Sequence, residues 1–194
     1  MLDYSNISRR FLHCISIMSL TYYIVPENMW IGISRNAVLL SLLLIVYIVE
    51  LLRHYRGGIK YLPIRKNEES KIASYVWACT AIVIALLFFP VQFSVPSIIG
   101  WAFVDPLIGE LRRQKLMRYY PVLPVIVYIL LFSIGLQFYI DFRTTKFWLY
   151  AIVAMCSSIG IESIQFLKER KIDDDFSMII VPLVLLTVVN RLFP

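Results

Sequence analysis

Charge is what this chain has least of. Asp, Glu, Lys and Arg make up 16% of its 194 residues and hydrophobic residues 59%, where a soluble domain carries about 25% and 45–50%. An ordinary water-soluble domain is therefore excluded. The alternating strands of ~10 residues that build a transmembrane β-barrel are also missing. The three cysteines, Cys14, Cys79 and Cys156, sit in apolar segments with no CxxC and no histidine at ligand spacing. That argues against a disulfide framework or a thiolate metal site and leaves them as small core residues. There is no internal repeat and no linker long enough to divide the chain, so residues 1–194 are expected to form one integral-membrane domain. Arg9 and Arg10 precede an apolar stretch, but no clean small-residue cleavage site follows, so the stretch is expected to be a retained helix.

What the chain has instead is apolar length. Blocks at about 10–26, 35–52, 72–92, 96–112, 121–140, 147–167 and 176–193 approach the ~20 residues a spanning helix needs. Pro26, Pro90, Pro96 and Pro121 punctuate their ends. The expected fold is an all-α, polytopic membrane protein of about seven transmembrane helices. The fourth is open to a break at Asp105-Pro106, because Pro106 cannot donate to the carbonyl of Ala102.

The net charge of +6 looks like a nucleic-acid signal until the basic residues are located. They lie between apolar blocks. With seven spans and a cytoplasmic N-terminus, fifteen of the 19 basic residues fall inside, and Arg35, Arg143, Lys146 and Arg191 outside. This is the positive-inside pattern, and it leaves no case for a nucleic-acid partner.

The same topology gathers the costly polar groups on the inner side. Arg9 and His13 share a helix face, and Glu50 and Arg53 are three residues apart. Asp105, Glu110, Arg112 and Arg113 lie in the inner half of the fourth block, Glu162 in the sixth, and Asp173, Asp174 and Asp175 open the last. A central Asp costs about 2.5–3.5 kcal/mol on insertion scales, so Asp105 needs a partner, a cavity or a cation. Anchoring, helix-end ion pairing and capping account for the arginines, Glu50 and the aspartate run taken singly. Their one-sided clustering points to a site.

Carboxylates at that site suit Mg²⁺, which binds one or two of them together with substrate phosphates and water. Asp105 before Pro106 reads as an N-cap, which would aim free N–H groups into the site, where phosphate binds well. Arg112 follows seven residues on, near the same face, and the arginine fork suits phosphate oxygens. Together these describe phosphoryl or nucleotidyl transfer to a lipid.

The same residues resemble the CTP-dependent lipid kinases, the family of dolichol kinase, phytol kinase and the yeast-type diacylglycerol kinase. Arg9-Arg10-Phe11-Leu12-His13 is similar to the family's Arg-Lys-x-x-His, and Glu50-Leu51-Leu52-Arg53 to its Glu-x-x-Arg. Val104-Asp105-Pro106-Leu107-Ile108-Gly109 stands where the family has Gly-Asp, small residues and Gly. Glu162 precedes Asp173-Asp174-Asp175 and Pro182, much as a Glu precedes the family's Asp-Asp-Asn. The chain departs from the pattern at Val104, Pro106 and Asp175.

The resemblance implies phosphorylation of a long-chain isoprenoid alcohol, or another lipid hydroxyl, by CTP with Mg²⁺ at the cytoplasmic face. It implies metal binding by Asp105, Asp173, Asp174 and Asp175, and phosphate binding by Arg9, Arg10, Arg53, Arg112 and Arg113. Glu50, Glu162 or His13 would orient or deprotonate the acceptor. Other partners are membrane lipids, and an oligomer is open. Two alternatives stand beside it. One is a cytidylyltransferase forming a CDP-lipid. The other is a non-catalytic subunit or transporter with Asp105 and Glu110 as ion sites, which should carry polar groups through both membrane halves. The motifs of CDP-alcohol phosphotransferases and aromatic prenyltransferases are absent.

Overall fold

The computed structural model describes residues 13, 15–28, 32–56, 71–168 and 173–193, and the side chains of 165–168 are not among them. All of the regular structure described is helical. A 3₁₀ segment, Ile17–Tyr23, leads to six α-helices: α1 (Arg35–Arg56), α2 (Ser74–Phe88), α3 (Val91–Arg113), α4 (Val122–Leu136), α5 (Thr145–Lys168) and α6 (Asp174–Leu192). Four of them, α1, α3, α5 and α6, are long and apolar enough to cross a membrane. The 15-residue helices α2 and α4 are shorter apolar rods, each about 22 Å long at 1.5 Å per residue.

Local chemistry sets the helix starts. The Ser34 hydroxyl accepts from the Ala37 N–H at 3.2 Å, and the Asp173 carboxylate from the Asp175 N–H at 3.1 Å, so each caps the helix that follows. Pro90 separates α2 from α3, and Ser94 Oγ donates back to the Ala85 carbonyl at 2.8 Å, which ties the two helices together at that turn.

Helix α3 is the centre. It packs against α4 and α6, while α6 also contacts α5 and α2. Its membrane-length window is 61% buried, against 11% for α1, which rests on α2 at the periphery. The core between them is aromatic, with Trp101, Tyr128, Tyr150, Phe93, Phe132 and Phe147 fully buried. Two glycines let α3 and α4 close on each other. A Cβ on Gly135 would sit 2.9 Å from Pro96 Cβ, and one on Gly100 2.9 Å from the Tyr128 ring. Small residues at such crossings are what packing between membrane helices favours.

The expected break at Asp105-Pro106 does not occur. Helix α3 runs unbroken through both Pro96 and Pro106. A proline removes one backbone hydrogen bond, and here the turns on either side are held by buried Trp101, Ala102, Val104, Ile108 and Leu111. Asp105 is therefore a mid-helix residue and not an N-cap.

Candidate functional site

Three buried side chains from three parts of the chain meet beside α3. Asp105 lies on its core face, and its Oδ2 is 3.3 Å from Nε2 of His13. Asp175, in the first turn of α6, is brought alongside by the α3–α6 contact. One ligand atom from each of His13, Asp105 and Asp175 lies within 4.8 Å of the others. Trp101, one turn before Asp105, fixes the arrangement from below. Its indole N–H donates to Asp175 Oδ1 at 3.2 Å, and its ring centroid is 4.7 Å from that of His13. Buried charges are held by pairing or by a metal, and two carboxylates this close call for a positive group between them.

The aspartate run divides by role. Asp173 caps α6, while Asp175 is buried against Trp101. Asp174, partly buried, is close enough to its neighbours for the three to share an ion. The oxygen donors of Asp105 and Asp175 fit Mg²⁺, which takes carboxylate oxygens and keeps several waters.

A cavity of about 370 Å³ opens against this cluster, with His13, Trp101 and Asp175 in its wall. Its long sides come from Leu39, Leu42, Leu43 and Val46 on α1 and Tyr75, Ala78, Cys79 and Ile82 on α2. Both sets follow the i, i+3, i+4, i+7 spacing of one helix face. Ser16, Ser19 and Ser74 add polar atoms to the lining. The volume lies at the lower end of the ~300–1,000 Å³ typical of small-molecule sites.

Glu50 and Arg53 form a different structure. Glu50 Oε1 accepts from Arg53 Nη2 at 2.7 Å and from the Ala73 N–H at 2.8 Å. Its Oε2 accepts from Arg53 Nε at 2.8 Å and from the Tyr75 hydroxyl at 2.7 Å. Arg53 also donates to the Lys71 carbonyl at 2.6 Å. A carboxylate accepting four hydrogen bonds has its lone pairs engaged. Glu50, expected as a base, here clasps the end of α1 to the start of α2.

Glu162 is likewise committed. It is 2% exposed, forms an ion pair with Arg112, and accepts from the Tyr120 hydroxyl at 2.9 Å. Arg112 thus links α3 to α5. Arg113 is paired with Glu110 within α3, with Nε 3.0 Å from Oε2. Arg53, Arg112 and Arg113, expected to hold phosphate, each face a carboxylate. Arg9 and Arg10 lie outside the described residues.

Sequence reasoning missed Trp101, Tyr75 and Tyr120. Tryptophan and tyrosine abound in apolar helices, and nothing in their spacing set these three apart. The signal available was the donor each offers to a buried acid, and it required knowing which helices pack together. No protein family, curated protein or solved structure matches the chain.

Proposed function

We propose that this chain is a multi-pass membrane enzyme, with its N-terminus in the cytoplasm, that transfers the γ-phosphoryl group of CTP to a long-chain lipid alcohol. The reading is carried by one observation: a buried His13–Asp105–Asp175 cluster lies against an apolar cavity among membrane-length helices. A hydrocarbon chain in the cavity brings its hydroxyl to His13. Four helices are long enough to span, and α2, α4 and the segment leading into α1 complete the seven crossings in this reading.

The His13 imidazole takes the proton of the acceptor hydroxyl, and Asp105, 3.3 Å away, orients the ring and balances the positive charge it gains. The lipid oxygen bonds to the γ-phosphorus as the bond from that phosphorus to the bridging oxygen breaks and CDP leaves. Asp105 and Asp175 are the residues that would hold Mg²⁺. When bound, the ion neutralises charge on the phosphate oxygens, as phosphoryl transfer requires. Arg9 and Arg10, four and three positions before His13 in the sequence, are assigned the triphosphate contacts in this reading.

The test is incubation of the purified protein in lipid bilayers with Mg²⁺, prenols and diacylglycerol, using γ-labelled and α-labelled CTP in parallel. The proposal expects γ-label in a lipid phosphate and α-label in CDP. Label from α-CTP in the lipid would identify a cytidylyltransferase, and label in no lipid would sink the reading.

A further inference from the structure

We infer that the lipid-facing wall of this bundle fits a thin bilayer, with a hydrocarbon core of about 21–26 Å in place of the ~30 Å of a typical membrane. The inference concerns the outer surface of the fold and holds whatever the His13–Asp105–Asp175 cluster catalyses.

Helix α4 marks the boundary at both ends. Val122, Ile126, Leu130 and Ile134 recur every four residues and form one outward apolar stripe, 46–61% exposed. Before the helix, the Arg118 guanidinium lies over the Tyr119 ring, 4.7 Å from its centroid. Beyond its other end, Arg143 lies over the Phe142 ring at 5.6 Å. Aromatic rings beside a cation suit the headgroup layer, where a ring can be half wet. The helix between the two pairs, Val122–Leu136, is about 22 Å long.

The other helices with lipid-facing surface repeat the limit. On α1 the outward face carries no charge from Ala37 to Leu52, about 24 Å, because Glu50 and Arg53 are buried. On α5 the exposed apolar positions run from Trp148, just past Lys146, to Ile164, about 26 Å. On α6 the apolar stretch from Phe176 to Val189, between Asp174 and Arg191, is about 21 Å. Long basic side chains can reach outward from a depth, but a short aspartate such as Asp174 cannot. Any tilt of a helix shortens the thickness it covers, so tilting widens the mismatch with an ordinary bilayer. Helix α3 is longer, but its membrane-length window is 61% buried and it does not set the lipid boundary.

The test is thermal unfolding of the full chain in bilayers of phosphatidylcholines whose monounsaturated tails run from fourteen to twenty-two carbons. It needs no catalytic activity. The midpoint should peak at fourteen or sixteen carbons and be lower by about 3 °C or more at twenty-two. A bundle fitted to an ordinary bilayer loses stability at the short end, so a maximum at eighteen carbons or longer overturns the inference. A midpoint that does not respond to chain length overturns it as well. Arg118→Leu combined with Arg143→Leu lengthens the apolar reach of α4 and should lessen the fall at twenty-two carbons. A fall as steep as that of the unmodified chain would remove the boundary from the ends of α4, and the inference with it.

Discussion

His13 Nε2 and Asp105 Oδ2 lie 3.3 Å apart, joining the N-terminal segment to the middle of the most buried of the four membrane-length helices. If the imidazole is the base, His13→Gln should lower kcat by about 100- to 10,000-fold and leave KM for CTP nearly unchanged. Asp105→Asn should also lower kcat, and in addition raise the Mg²⁺ concentration needed for half-maximal rate. Rates measured across a Mg²⁺ series separate the two roles. Equal Mg²⁺ dependence in both variants would remove Asp105 from metal binding.

The Glu50 clasp should behave as structure and not as chemistry. Glu50→Gln leaves Arg53 buried without its countercharge, which costs about 3–5 kcal/mol in comparable buried pairs. Tyr75→Phe removes one donor and should cost about 1–3 kcal/mol. Thermal unfolding in detergent should rank them in that order. The protein that remains folded should keep its kcat. A large loss of kcat in Glu50→Gln with unchanged thermal stability would restore Glu50 as a base.

Much of this was legible in composition and cost. The long apolar blocks mark α1, α3, α5 and α6, and Asp105 stands out because a buried acid in such a helix is expensive. What stayed hidden depends on contacts between distant positions. Pro106 fails to break α3 because buried neighbours hold the turn, which no local rule anticipates. Glu50 reaches Tyr75, 25 positions away, and only the packing of α1 on α2 shows that its oxygens are committed. The aspartate run reads as three equivalent ligands, yet capping claims Asp173 and the α3 contact buries Asp175. The cavity is invisible beforehand, since leucines at helical spacing usually mean filled core.

Arg112 and Glu162 offer a sharper separation of pairing from phosphate binding. Their ion pair joins α3 to α5, with the Tyr120 hydroxyl on the second carboxylate oxygen. If the pair acts as a unit, Arg112→Gln and Glu162→Gln should each destabilise the protein, and the double variant should be less destabilised than the sum of the two. If Arg112 contacts the nucleotide instead, Arg112→Gln alone should raise KM for CTP. Unfolding midpoints and KM values on the same four proteins decide between them.

The α3–α4 crossing predicts a steric cost at one atom. Gly135→Leu would drive its Cβ to 2.9 Å from Pro96 Cβ, and the proline ring cannot turn aside. Overpacking of this kind costs about 1–3 kcal/mol. Gly109→Leu is the control, because nothing lies within 4 Å of a Cβ there. Thermal unfolding should fall for Gly135→Leu and change little for Gly109→Leu.

The orientation of the chain can be read from the two ends of α4. Lys115 precedes this helix and Arg143 follows it, and both are exposed. With a cytoplasmic N-terminus, the positive-inside pattern puts Lys115 with Arg112, Arg113 and Arg118 inside, and Arg143 outside. In a background with Cys14, Cys79 and Cys156 replaced by serine, Lys115→Cys and Arg143→Cys provide one thiol each. A membrane-impermeant maleimide added to intact cells should label Arg143→Cys and reach Lys115→Cys only after permeabilisation. Labelling of both thiols in intact cells would mean that α4, at 15 residues, does not cross. The reverse pattern would place the His13–Asp105–Asp175 cluster on the outer side, away from cytoplasmic CTP.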